Sequence, residues 1–321
     1  MEYISNHSNS LENSKRVILQ TKNSNPKDED IIIIDPTYQF FSDQNGNIQN
    51  QPDDSNYILE IEVLNSSSIS IGTKIKIDQL GITEGSLRSE KDGVTYFGFL
   101  GNSGNLNEKE KNIKSENDSI DYIIPLKHCE KFGRFFKIQY IPKFKDYIIK
   151  DLGKGLGTFI KIQDYIFIRN SSMVNIGDSY LIFYFEKEEN KTNEKKENGN
   201  TYGINKKLKV KLFDSKNNND MKEFIFDNIP DKKINIGRVN HGNDIELNDN
   251  LSSKINCVIY YNTEKGWIIK DGNEVISKNG DIKRISSRNG TWLLANENIK
   301  IVDNLIFKSN FNIFRCKLIK S

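Results

Sequence analysis

Trp267-Ile-Ile-Lys-Asp271 repeats an earlier segment, Tyr147-Ile-Ile-Lys-Asp151. After each comes a glycine-threonine-aromatic step, Gly290-Thr291-Trp292 and Gly157-Thr158-Phe159. Before each comes an apolar-x-Tyr segment, Ile259-Tyr-Tyr261 and Ile138-Gln-Tyr140. Earlier still stands a glycine behind an apolar or aromatic residue, Ile236-Gly237 and Phe97-Gly98. Four landmarks in one order in both halves predict two copies of a single fold.

The segments around the landmarks read as strands. Tyr57-Ile-Leu-Glu-Ile-Glu-Val-Leu64 alternates apolar and polar residues, as do Gly72–Ile77, Phe135–Tyr140, Leu208–Leu212 and Asn298–Val302. Period two places successive side chains on opposite faces of a sheet. No helical periodicity is sustained, and Gly and Asn/Asp pairs punctuate the runs at turn spacing. The expected class is all-β: two antiparallel β-sandwiches in tandem, over 57–186 and 206–321. Residues 1–56 are rich in Asn, Ser, Asp and Gln and are expected to form a largely disordered tail, with short apolar clusters such as Ile31–Ile34 able to dock on a domain. Residues 187–205 read as a linker, and Gly101–Ser119 as a long surface loop.

Composition narrows function. Of 321 residues, 36% are apolar and 28% charged, so a packed core requires part of the chain to stay outside it. The 46 basic and 44 acidic residues leave a net charge of +2, too small for a global field toward nucleic acid or an anionic membrane. Neither is expected as a partner, and an anion site must be local. Three cysteines, Cys129, Cys257 and Cys316, form no disulfide framework and no zinc spacing. Met1–Arg16 has no basic start followed by an apolar run, and no apolar run is long enough to span a bilayer as a helix. An intracellular protein, cytoplasmic or nuclear, is the expectation. His7, His128 and His241 are scattered, so no metal or triad is expected. Gly153-Lys-Gly-Leu-Gly-Thr158 lacks the P-loop spacing and precedes a strand rather than a helix. With no nucleophile–base pair and no paired carboxylates in a motif, no enzymatic activity and no cofactor are expected.

The second copy carries Gly237-Arg238, then Ser253-Lys254-Ile255-Asn256, then the strand ending at Asp271, then Ser287-Arg288-Asn289-Gly290-Thr291. This ordered set resembles the forkhead-associated (FHA) family: a Gly-Arg step, a Ser-Arg-x-His segment and a Ser-x-Asn-Gly-Thr turn. The resemblance implies that loops at one end of the sandwich bind a phosphothreonine peptide. It implies phosphate contacts for Arg238, Ser253, Lys254 and Arg288, and a contact of Asn289 to the peptide backbone. Gly237, Asn256, Gly290 and Thr291 would support them. The chemistry suits a phosphate ester with a charge near −2. A guanidinium offers it a planar fork of donors. Two positions depart from the family: Lys254 replaces an arginine and loses the fork, and Asn256 replaces a histidine. Gly272–Ile285 is an insertion before the Asn-Gly turn.

In the first copy the matching slots hold Phe99, Phe132, Phe135 and Leu156, all apolar. That copy is expected to keep the fold and lose the anion site, leaving an exposed apolar face for a protein contact. The resulting expectation is a phosphothreonine-binding adaptor with one active and one degenerate FHA copy. A phosphorylated tail threonine, Thr21 or Thr37, is an intra-chain ligand of interest. The competing expectation is a structural tandem sandwich in a cytoskeletal or ciliary assembly, without phosphopeptide binding.

Overall fold

The computed structural model describes residues 33–34, 56–99, 120–125, 133–186, 206–214, 221–276, 279 and 281–321. The rest of the expected tail, the 101–119 loop, the 187–205 linker, Phe132 and Cys129 lie outside the described residues. Within them the protein is all-β and contains no helix. Among the described residues no helix is therefore long and apolar enough to cross a membrane.

The first half supplies β1 (Ile33–Ile34), β2 (Tyr57–Asn65), β3 (Lys74–Asp78), β4 (Gly81–Ile82), β5 (Val94–Phe99) and β6 (Tyr122–Ile123). It continues with β7 (Gly133–Ile141), β8 (Asp146–Asp151), β9 (Thr158–Lys161), β10 (Tyr165–Phe167), β11 (Met173–Ile176) and β12 (Ser179–Phe185). The second half supplies β13 (Leu208–Asp214), β14 (Lys222–Phe226), β15 (Lys233–Arg238), β16 (Ile245–Leu247), β17 (Cys257–Asn262) and β18 (Gly266–Asp271). It ends with β19 (Asn273–Ile276), β20 (Ile282–Ile285), β21 (Trp292–Leu294), β22 (Asn298–Lys300), β23 (Ile306–Ser309) and β24 (Asn312–Lys320).

The two halves repeat one pairing scheme. Strand β5 pairs antiparallel with β7 so that Val94 faces Gln139 and Phe97 faces Phe136. At the equivalent places β15 pairs with β17, Lys233 facing Tyr260 and Ile236 facing Cys257. The short strands β6 and β16 add in parallel to β5 and β15. Both repeated Ile-Ile-Lys-Asp segments are the next strand in, Asp151 opposite Phe136 and Asp271 opposite Cys257.

The chain does not divide between the two repeats. One compact unit is Lys161–Leu294; the other joins Pro26–Ile160 to Ala295–Ser321. The expected domains, 57–186 and 206–321, are corrected accordingly: the copies exchange their last strands. The continuous unit contains β10–β12 from the first half, and the split unit contains β22–β24 from the second. Strand β12 pairs with β13 over seven residues, from Ser179 opposite Asp214 to Phe185 opposite Leu208. Strand β24 pairs with β2 from Lys320 opposite Tyr57 to Ile313 opposite Asn65. Because the copies present near-equivalent edges, either set of closing strands satisfies the backbone ladder.

In the continuous unit, β10-β18-β17-β15-β16 form one sheet, and β14-β13-β12-β11-β21 follow one another in hydrogen-bonded order in another. Ile166, Val174, Leu181 and Phe183 from the first half share one core with Val210, Ile236, Ile259 and Trp267 from the second. In the split unit, Phe97 stacks on Phe136 at 4.5 Å, and Phe136 meets Phe307 edge-on at 5.4 Å. Phe307 in turn stacks on Phe314 at 4.9 Å, so both halves build this core as well. Each buried aromatic contributes roughly 3–5 kcal/mol against truncation to alanine, which binds the exchanged strands to their units.

The cluster at Ile31–Ile34 contributes β1, which pairs in parallel with β22. The Gly272–Ile285 insertion contains the antiparallel hairpin β19–β20. Arg284 ties it to the turn between β9 and β10, its Nη1 donating to Asp164 Oδ1 at 2.7 Å and its Nη2 to Gln163 O at 2.8 Å.

Candidate anion-binding site

All nine residues singled out by the FHA resemblance lie in the continuous unit, at the end of β15 and on two loops. Arg238 ends β15. Its backbone N–H donates to Ser253 O at 2.9 Å. Ser253 Oγ accepts the backbone N–H of Arg288 at 2.9 Å. The Asn289 Nδ2 group donates to Leu251 O at 2.7 Å. Two segments far apart in sequence, the end of β15 and the Arg288–Asn289 turn, are thus fastened to one loop, 249–256.

The close approach of that loop depends on Gly237. A Cβ there would overlap Lys254 O, which no side chain tolerates without a backbone shift. Gly98 stands in the same relation to Gly133 O in the split unit. This correspondence places Phe99 at the Arg238 position and Phe135 at the Asn256 position. Asn243, which the sequence did not single out, closes the arrangement: its Nδ2 donates to Arg238 O at 3.0 Å and to Lys254 O at 2.8 Å.

Beneath the loops lies a buried polar chain. Asn256 is fully buried. Its Oδ1 accepts from Ser253 N at 3.2 Å, and its Nδ2 donates to Thr291 Oγ1 at 3.0 Å. Thr291 Oγ1 donates onward to Asp271 Oδ1 at 2.7 Å. Ser287 Oγ donates to the same Asp271 oxygen at 2.6 Å, and Ser287 N to Asp271 Oδ2 at 3.2 Å. An asparagine here links the Ser253 loop to the Asn-Gly turn through both ends of its amide. The Cys257 thiol borders this chain; burial, then the Asp271 charge, pushes its pKa up, so it stays a protonated, inert thiol. Gly290 makes the turn with φ of +81°, the left-handed region that favours glycine.

Three cations belong to these segments. Arg238 is half-buried, while Lys254 and Arg288 are exposed. Among the described residues, none of these three side chains makes a hydrogen bond or ion pair. The other described arginines are engaged. Arg284 and Arg315 bind Asp164 and Glu62 at 2.7 Å each. Arg134 lies 3.7 Å over the Tyr96 ring, and Arg169 also has a partner. Arg88 is buried against Asp121 and Asp92 at 3.2 and 2.7 Å. Burial pulls its pKa down, and the two carboxylates more than offset that, so its guanidinium is held firmly charged.

Ser253 Oγ accepts a hydrogen bond from Arg288 N–H, and its own hydroxyl proton has no acceptor among the described residues. With the Asn289 Nδ2 group bonded to Leu251 O, its Oδ1 has no partner among the described residues. His241 is exposed in the loop after Arg238. Among the described residues no group of His, Cys, Asp and Glu could hold a metal ion.

The corresponding positions of the split unit differ from the expected exposed apolar face. Phe99 is 7% exposed and Phe135 fully buried, so both belong to the core. Leu156 is half-buried, and its N–H donates to Asn310 Oδ1 at 2.8 Å. No donor remains at these places to meet an anion.

No protein-family model, no curated protein and no solved structure matches the chain.

Proposed function

We propose that the protein binds phosphothreonine-containing peptides through the loop tips of the continuous unit, in the manner of an FHA domain. The observation that carries this reading is the pair Arg238 and Arg288. Among the described arginines these two alone lack a partner, and Ser253 is bonded to the backbone of both. Two unpaired guanidinium side chains on segments bonded to the same serine suit an anion with several acceptor oxygens.

In this reading Arg238 and Arg288 take phosphate oxygens, Lys254 adds a third charge, and Ser253 Oγ donates its free proton. Asn289 Oδ1 accepts a peptide N–H. Asn256 and Thr291 act from beneath by holding the Ser253 loop against the Asn-Gly turn. Each charge-assisted hydrogen bond contributes roughly 1.5–3 kcal/mol. Three or four offset the cost of ordering a short peptide and give dissociation constants of the order of micromolar. The split unit, with Phe99 and Phe135 in its core, serves as scaffold. The role is that of a non-enzymatic adaptor in an intracellular compartment.

The test is calorimetric titration of the full chain with a phosphothreonine peptide library, beside Arg238→Ala. Sub-millimolar binding that requires both the phosphate and Arg238 supports the reading; its absence refutes it.

A further inference from the structure

The loop bearing Ser253 is held from below by residues of the other half of the chain. Strands β11 and β12 are joined by a tight turn at Gly177–Asp178, with Gly177 at φ of +56°. The Asp178 backbone N–H donates to Asp249 Oδ2 at 2.7 Å. The other oxygen, Asp249 Oδ1, accepts Leu251 N at 2.8 Å. The Asp249 carbonyl accepts Ser252 Oγ at 2.6 Å. Leu251 O is in turn the acceptor of Asn289 Nδ2. A continuous hydrogen-bonded path therefore runs from Asp178 through Asp249 and Leu251 to Asn289, with Ser253 two residues further along the braced loop.

Asp249 is almost fully buried. A buried carboxylate needs its oxygens satisfied by donors, and two backbone N–H groups do so here. One of them comes from the first half of the chain. Space is equally tight: a Cβ on Gly177 would overlap Asp249 Oδ2 and press on Leu251 Cβ. Only glycine meets both the left-handed backbone and the close approach.

We propose that the Gly177–Asp178 turn is a positioning element for the anion site, so that strands of the degenerate copy complete the active one. Asp249 relays the position of this turn to Leu251 and Ser253. The inference rests on the phosphothreonine reading above. It assigns the first copy a task beyond scaffolding: without its β11–β12 turn, the second copy's loop loses one of the donors that hold Asp249.

The experiment uses the full chain. Gly177→Ala, Asp249→Ala and Asp249→Asn are compared with wild type. The readouts are phosphothreonine-peptide affinity, thermal midpoint and the amide NMR signals of Arg288, Ser253 and β15. Gly177→Ala is expected to weaken binding about tenfold or more, moving the Arg288 and Ser253 amides while the β15 amides from Ile234 to Ile236 hold their positions. Asp249→Asn retains one acceptor oxygen and is expected to bind more tightly than Asp249→Ala, a rescue that general destabilisation would not give. Wild-type binding with unchanged affinity in Gly177→Ala, or equal losses in Asp249→Ala and Asp249→Asn, would overturn the proposal. No phosphopeptide binding by wild type would instead overturn the reading on which it rests.

Discussion

Ser253 Oγ accepts the backbone N–H of Arg288 at 2.9 Å, across 35 residues of sequence. One bond fixes two things. It locks the loop after β16 to the Asn-Gly turn before β21, and it orients the serine hydroxyl so that its proton points away from Arg288. Ser253→Ala removes the lock and the donor together. It is expected to weaken phosphothreonine-peptide binding about tenfold or more, since hydrogen bonds to a charged group are worth roughly 1.5–3 kcal/mol. Stability should fall by only about 1 kcal/mol. Titration and urea denaturation of the same variant separate the two effects.

The buried amide of Asn256 predicts a different balance. Asn256→Leu leaves Ser253 N without its acceptor and Thr291 Oγ1 without its donor. Each buried group left unsatisfied costs about 1–3 kcal/mol. The variant should lose stability first and affinity as a consequence, seen as a lowered urea midpoint at unchanged slope.

The close approach at Gly237 gives a paired prediction. Gly237→Ala and Gly98→Ala each place a methyl group against a backbone carbonyl, Lys254 O or Gly133 O. Each should destabilise its unit by about 1–3 kcal/mol. Only Gly237→Ala should also impair peptide binding, because only its loop carries Ser253. Affinity measured on both variants checks the contrast.

How much of this was legible in the sequence depends on the range of the interaction. Strand alternation is local, and Tyr57–Leu64 lies within β2 as read. The Ile-Ile-Lys-Asp repeat marks equivalent strands because the same pairing recurs opposite Phe136 and Cys257. The residues proposed for the anion site were chosen from the sequence as an ordered set of turn and cation positions. The exchange of β10–β12 and β22–β24 was not. Both copies offer matching edges, so the local pattern of β12 fits either copy's edge. Which one it joins is settled by core contacts such as Phe183 with Val210 and Trp267. Asn243 and Asp249 were missed for a related reason. Their partners are backbone groups, Arg238 O, Lys254 O and Asp178 N, which leave no trace in residue type.

The exchange makes its own prediction. A chain cut by an engineered protease site between residues 187 and 205 should remain one particle in size-exclusion chromatography. Strand β12 stays paired to β13 and β24 to β2 across the cut. Two particles of half the mass would show instead that each repeat closes on its own strands.

Lys308 predicts a pH dependence. Burial lowers its pKa to about 8. The unfolded chain holds that proton up to its ordinary range near 10.5. Between the two values the unfolded state binds more protons, so stability rises with pH there and is lost as pH falls through 8. The slope reaches at most about 1.4 kcal/mol per pH unit. Lys308→Met should flatten this segment of the stability profile and leave the folded protein more stable at pH 7. Urea midpoints of both proteins from pH 7 to 10.5 check it.

The most direct test compares one peptide with and without its phosphate on the full chain, and repeats the comparison with Arg238→Ala. The account predicts dissociation constants of the order of micromolar for the phosphothreonine peptide, and at least a tenfold loss either without the phosphate or without the Arg238 guanidinium. Equal affinity for both peptides, or an Arg238→Ala variant that binds as wild type does, would contradict it.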